Sequence, residues 1–213
     1  MSTINDHLIV RDLGLSDYEP TLEKMINFSL QRDENTADEI WLLEHPPVYT
    51  LGKNGKAHHV LNAGEIPIVQ IDRGGQVTYH GPGQLVAYLL IDVRRKNVGV
   101  RHIVTTMENA IIQVLADLGV NSNARADAPG VYVNDAKIAA LGLRIKNGKS
   151  YHGLSFNIEM DLTPFQGINP CGYEGLRITQ LSELLTDYSM TDVKKRLIEK
   201  LKTALGYNNV AKH

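Results

Sequence analysis

Cysteine is all but missing from this chain: 213 residues contain one, Cys171. A single cysteine excludes an intrachain disulfide framework and fits a reducing compartment. Excess positive charge is missing too. The 22 Lys and Arg against 24 Asp and Glu leave a formal charge of −2, which argues against nucleic-acid binding driven by net charge. Long apolar runs are absent: the longest, Leu85 to Ile91, ends at Asp92, far too short to cross a membrane. The opening stretch MSTINDHLIVRDLG breaks its short apolar run with charges, which is not the pattern of a secretory signal. A cytoplasmic location is expected, with no membrane and no nucleic-acid partner. Repeats, low-complexity tracts and linkers are also lacking, so residues 1–213 are expected to form one domain. At 43% hydrophobic and 22% charged residues, that domain can bury a core of ordinary size.

What is present is a mixture of strand and helix patterns. SDYEPTLEKMINFSL (16–30) predicts a helix with Ser16 as cap and Pro20 in the first turn. Residues 39–44 and 66–71 read as strands, and 85–93 as a buried one. Apolar residues at 103, 104, 107, 111, 114, 115 and 118 have helical spacing, stopped by Gly119. Three short β-like stretches follow, GVYV, KIAALGLRI and SYHGLSFNI. The region after Thr163 reads as loop, and 178–185 and 191–205 read as amphipathic helices. Together these predict an α/β or α+β domain, with helices around a mixed, largely antiparallel sheet.

Asn147-Gly148, between the last two strands, is a strong two-residue hairpin signal. It sets Lys146 opposite Lys149, Gly142 opposite Gly153, and Ala140 opposite Ser155. On one face Ala140, Gly142, Gly153 and Ser155 are all very small, while Leu141, Leu143, Ile145, Leu154 and Phe156 point to a core. Facing glycines mark the close approach of a ligand or of another backbone. The pattern leaves both open.

The densest anomaly is RGGQVTYHGPGQ (73–84), with four glycines and one proline in twelve residues. Glycines allow close approach to a ligand, and Arg73, Gln76, Thr78, Tyr79 and His80 supply donors and acceptors. A plain glycine-rich turn is the competing reading. Neither this segment nor GKNGKA (52–57) has the Gly-Lys-Ser/Thr of a phosphate loop, and GPGQLV lacks the third glycine of a dinucleotide fingerprint. The histidines have no metal-ligand spacing, so no metal is expected. The RRK run at 94–96, with Arg101 and His102, reads as solvated surface. Docking of acidic carrier proteins is the alternative.

Cys171 lies in INPCGYEG, between a proline and a glycine and outside any apolar period. A reactive thiol needs a basic or cationic neighbour or a helix N-terminus. Lys137, His80, His152 and Arg177 are the candidates, and spacing alone does not choose among them. Lys137 opens the mostly apolar run KIAALGLRI, where burial would lower its pKa and suit it to act as a base.

RGGQVTYHGPGQ, APGVYV…KIAALGLRI, HGLSFNI…DL.PF and INPCG, in this order, resemble the lipoyl(octanoyl) transferases. The resemblance runs over about residues 5–205 and is specific in combination, although each piece alone is weak. It implies the biotin/lipoate protein ligase-like fold. It also implies transfer of an octanoyl group from octanoyl-acyl carrier protein to one lysine of a lipoyl domain, the first step of endogenous lipoate formation. The acceptors it implies are the lipoyl domains of 2-oxoacid dehydrogenase complexes and the glycine cleavage H protein, served by a monomer.

In such enzymes the NPCG cysteine takes the acyl group as a thioester and the KIAALGLR lysine tunes it, here Cys171 and Lys137. The implied substrate contacts are Arg73, Gly74, Gly75, Gln76, Val77, Thr78, Tyr79 and His80, then Ala140, Leu141 and Gly142, then Gly153, Leu154 and Ser155. The last two groups fall on the small-residue strands of the hairpin. Thioester to amide is downhill, so no ATP and no cofactor are expected. A hydrophobic acyl site discriminates by only about 1–3 kcal/mol per methylene, which predicts a preference for eight carbons with leakage to neighbours. The rival readings are an ATP-dependent lipoate or biotin ligase, a thiol hydrolase using Cys171 with a histidine, and a non-catalytic acyl-binding module.

Overall fold

The apolar run at 85–91 carries large side chains toward both faces, as a strand covered on both sides must. It sits in the middle of the main sheet of a computed structural model, which describes residues 7–212. The first six residues of the opening stretch read above, and His213, lie outside the described residues. In chain order the elements are β1 (His7–Leu15), α1 (Tyr18–Gln31), β2 (Asp38–Glu44), β3 (Val48–Leu51), β4 (Ile68–Gln70), β5 (Val77–His80) and β6 (Gln84–Leu90). Then follow α2 (Val100–Asp117), β7 (Asn123–Ala124), β8 (Val131–Val133), β9 (Ala136–Lys146), β10 (Lys149–Asn157), α3 (Met190–Ala204) and β11 (Asn209–Lys212).

Eight strands form one sheet in the order β11-β1-β2-β6-β10-β9-β8-β7, and β4-β3-β5 form a second. In the main sheet β1 pairs in parallel with β2 and β11, and the remaining pairs are antiparallel. Alternation along β6 divides the core. Leu85, Ala87 and Leu89 pack with Leu154 and Phe156 under α2 and α3. Val86, Tyr88 and Leu90 pack with Trp41 and Tyr151 under Met25 of α1.

The hairpin has the register expected from Asn147-Gly148: Lys146 faces Lys149, Gly142 faces Gly153 and Ala140 faces Ser155. Both turn residues have positive φ, 54° and 80°, as a type I′ turn requires. Protein comes close to both glycines. A Cβ on Gly142 would lie 2.9 Å from Arg73 Cδ, and one on Gly153 would collide with the Ala87 carbonyl of β6.

Other expectations differ from the structure. Residues 178–185 form no helix beyond a short turn at Leu181–Glu183. Instead Ile178 bridges Lys137 in parallel, because the free edge of β9 captures the segment in extended form. Ser16 is not the cap of α1: the cap position is Asp17, and the Ser16 hydroxyl donates to the Leu13 carbonyl. Val77–His80 is a strand inside the glycine-rich segment, paired with β3. Of the RRK run, Arg94 is exposed as expected, while Arg95 and Lys96 are half-buried. Arg95 donates to Asp38 at 2.8 Å, Lys96 lies 3.5 Å over the Tyr207 ring, and Arg94 rests against Gly148. Arg101 and His102 do stay exposed, at the start of α2.

Asp38 is the anchor of that cluster. Its buried carboxylate accepts from Arg32, Arg95, the Asp92 backbone N–H at 2.7 Å and the Tyr207 hydroxyl at 2.7 Å. Asp38→Ala strands a fully buried Arg32 guanidinium, and a loss of about 3–5 kcal/mol is expected. Urea unfolding of the two proteins at pH 7 measures it; a loss under about 1 kcal/mol would mean that water replaces the carboxylate.

Candidate active site

Cys171 sits in a short turn, Pro170–Gly172, with φ 57° and ψ 14°. A non-glycine residue in this left-handed region is held there by its surroundings. Three backbone bonds hold it: Gly172 N–H to the Asn169 carbonyl at 2.9 Å, Tyr173 N–H to Pro170 at 3.1 Å, and Asn169 N–H to His59 at 2.8 Å. The Gln76 side chain and the His59 ring close in on Gly172 from the other side.

Of the four candidate partners, Lys137 is the one beside the thiol. Its Nζ lies 3.0 Å from Cys171 Sγ and 3.1 Å from the Pro129 carbonyl. Lys137 is 3% exposed, with Nζ 5.3 Å from the Tyr132 ring centroid. Its stem runs over Gly130, where a Cβ would come within 2.9 Å of Lys137 Cε. Arg177 contributes only its carbonyl, which accepts the Lys137 backbone N–H at 2.8 Å. The imidazole Nδ1 of His80 bonds Gln84, and His152 sits beside Asp72.

Burial alone would lower the Lys137 pKa, as the sequence suggested. The adjacent Cys171 charge and hydrogen bond, with help from Tyr132, outweigh burial and raise it. Lys137 is therefore an ammonium, not a neutral base, in the resting pair. That corrects the expectation from burial.

Cys171 and Lys137 open onto a cavity of about 380 Å³, within the usual range for small-ligand sites. Arg73, Gly74, Gly75, Gln76, Val77, Thr78 and His80 line it from the glycine-rich segment. Ala140, Leu141 and Gly142 line it from β9, and Gly153, Leu154 and Ser155 from β10. Tyr79 does not. It points to the opposite face of β5, where its ring packs 5.5 Å from Tyr49 and 5.4 Å from Phe165. Arg73 also braces its own loop, donating to Gly74, Gln76 and Thr50. Sequence reasoning missed Tyr18, Val86, Tyr88, Val100 and Val104, which also line the wall. The parity of β6 could have shown Val86 and Tyr88 sharing a face, but not that this face is the one above Gly153.

Residues 21–202 match the model of the lipoyl protein ligase A/B catalytic domain. The chain belongs to this family. An octanoyltransferase of Pseudomonas entomophila (strain L48) is 59% identical over 198 residues, 93% of this chain and 92% of that protein. One of Ectopseudomonas mendocina (strain ymp) is 56% identical over 201 residues, 94% and 98% of the two chains. Such relatives place this member of the family among the acyltransferases.

Its fold is shared with the bi-partite lipoate protein ligase from Thermoplasma acidophilum (TM-score 0.70, 14% identity, 97% of this chain and 86% of that one). It is also shared with biotin protein ligase from Aquifex aeolicus (TM-score 0.55, 10% identity, 93% and 68%). At such identities the likeness concerns the fold alone. The mixed, largely antiparallel sheet and the family expected from the sequence are those found.

In this family member the cavity wall carries the His80 ring, with the His45 ring 5.8 Å behind it. Burial pushes His45 down to about 4 and His80 to about 3, so both rings are neutral. His45 Nδ1–H donates to the Ser16 carbonyl at 2.6 Å, which leaves Nε2 to accept from the Tyr88 hydroxyl at 2.7 Å. His80 Nδ1–H donates to Gln84 at 2.6 Å, and Gln84 in turn donates to Asn157. Both folded pKa values are depressed below about 6.5 in the unfolded chain, so unfolding takes up protons and stability is lost as pH falls. Between pH 6 and 5 these two rings should cost about 2–3 kcal/mol. Urea unfolding across that interval tests it, and His45→Gln should remove about half of the slope. An unchanged slope would assign the loss to other groups.

Proposed function

We propose that this acyltransferase moves an octanoyl group from octanoyl-acyl carrier protein to one lysine of a lipoyl domain, through a thioester on Cys171. The observation that carries the proposal is the 3.0 Å contact between Lys137 Nζ and Cys171 Sγ at the cavity. The relatives named octanoyltransferases, 59% and 56% identical, support the choice of acyl group.

The Lys137 ammonium stabilises the Cys171 thiolate, which attacks the thioester carbonyl of the donor. As the carbon–sulfur bond to pantetheine breaks, the departing sulfur takes the Lys137 proton, and Lys137 becomes neutral. The neutral amine of the target lysine then attacks the acyl-Cys171 carbonyl. Its surplus proton passes to Lys137 as the Cys171 thiolate leaves, which restores the starting pair. Neither ATP nor a cofactor enters this balance, because a thioester already carries the activation an amide needs.

The octanoyl chain lies along the small-residue trough. Burying about six methylenes there contributes roughly 5 kcal/mol of gross binding. Acceptors are lipoyl domains of 2-oxoacid dehydrogenase complexes and the glycine cleavage H protein. Both substrates are protein-borne, which explains a nucleophile in a half-exposed loop and not in the core.

Incubation with octanoyl-acyl carrier protein, without acceptor or ATP, should add one octanoyl mass to the wild type and none to Cys171→Ala. Adding lipoyl domain should discharge it. Lys137→Ala should slow adduct formation by about 100-fold or more, since it loses both the charge beside sulfur and the proton donor. Transfer without any adduct, or pyrophosphate release from free octanoate and ATP, would overturn the proposal.

A further inference from the structure

The cavity has a second end. Tyr88 is the ladder partner of Gly153, and Gly153 that of Gly142. Tyr88 therefore stands level with a residue five places along β9 from Lys137, about 17 Å of strand. Tyr18 and His152 line the cavity with it. Tyr88 donates to His45, and the Tyr18 and Tyr88 hydroxyls lie close enough to interact.

His152 is 2% exposed, and its buried Nε2 has no hydrogen-bond partner, with Asp72 Oδ1 3.5 Å away. It holds φ at 62° within β10, a strained conformation for a strand residue. That backbone reversal brings a side chain from mid-strand to the cavity wall beside Tyr88, ring to ring at 6.1 Å.

An extended octanoyl chain spans about 9 Å. With the Lys137 side chain and the 3.0 Å contact to Sγ reaching the same way, its tip comes about level with the phenols. Taking the Cys171 thioester reading above as its basis, we propose that Tyr18, Tyr88 and His152 form a polar floor that sets acyl chain length. A chain of eight carbons ends at the floor. A longer one must cover hydroxyls and an imidazole that it cannot hydrogen-bond, so rejection comes from desolvation and not from a hard wall. The floor accepts a longer chain that ends in a hydroxyl.

The test uses acyl carrier protein loaded with octanoyl, undecanoyl or 10-hydroxydecanoyl groups, and reads the rate of adduct formation on Cys171. The last two chains have equal length, so a hard wall treats them alike. Wild type should take the hydroxylated chain at least about tenfold faster than undecanoyl. Tyr18→Phe with Tyr88→Phe keeps ring volume and removes only hydroxyls. It should bring that ratio toward one and raise undecanoyl relative to octanoyl by about tenfold. Equal wild-type rates for the two long chains overturn the inference, and this comparison stands even if the double variant does not fold. An unmoved ratio in a folded double variant overturns it as well. A wild type that takes no octanoyl at all removes the thioester reading, and the floor with it.

Discussion

Two backbone hydrogen bonds at one residue hold the Cys171–Lys137 pair together. Lys137 N–H donates to the Arg177 carbonyl at 2.8 Å, and Thr179 N–H donates back to the Lys137 carbonyl at 3.0 Å. These bonds fasten the stretch after Cys171 to the edge of β9, and the Asn169 N–H bond to the His59 carbonyl fastens the stretch before it. The thiol is thus suspended between two anchored ends. Lys137 is at once the ammonium beside the sulfur and the backbone site that brings the cysteine loop in. Such coupling serves positional accuracy, because a reactive pair displaced by an ångström loses much of its rate.

Around that pair the structure combines one further buried cation, Arg73, with neutral polar rings. The ammonium and the thiol stand at one part of the cavity, with Tyr132 and the Pro129 carbonyl close by. Elsewhere the wall carries histidines kept neutral by burial and phenols kept protonated by it. The outlying carboxylate, Asp72, is held down to about 2 by His152 and Tyr151 beside it and stays ionised at neutral pH. On the proposed route an acyl chain therefore meets small residues, neutral rings and the Arg73 guanidinium, while the proton passes through Lys137.

Local rules read much of this from the chain. Asn147-Gly148 set a register that holds pair for pair, because a two-residue turn leaves little freedom in the strands it joins. The cysteine in its proline-glycine turn and the lysine heading an apolar run were both legible as odd residues. Other features depend on partners distant in sequence. The helical spacing of 178–185 lost to an unpaired strand edge, which offered its backbone immediate hydrogen bonds. His45, Tyr88 and Tyr18 carry no motif and meet only when α1 settles on the sheet. The protonation of Lys137 could not be read from burial, because a neighbouring sulfur reverses its sign.

The pairing of β1 with β11 has a consequence for assembly. His7 meets Asn209 across nearly the whole chain, so this edge of the sheet closes only after every intervening element has been made. Contacts of such sequence separation slow folding. During synthesis the outer side of β1 stays unpaired until α3 and β11 leave the ribosome. An open parallel edge of that kind is a site where nascent chains pair wrongly with one another. Chaperone demand for this enzyme should therefore track the time its first strand waits for its last.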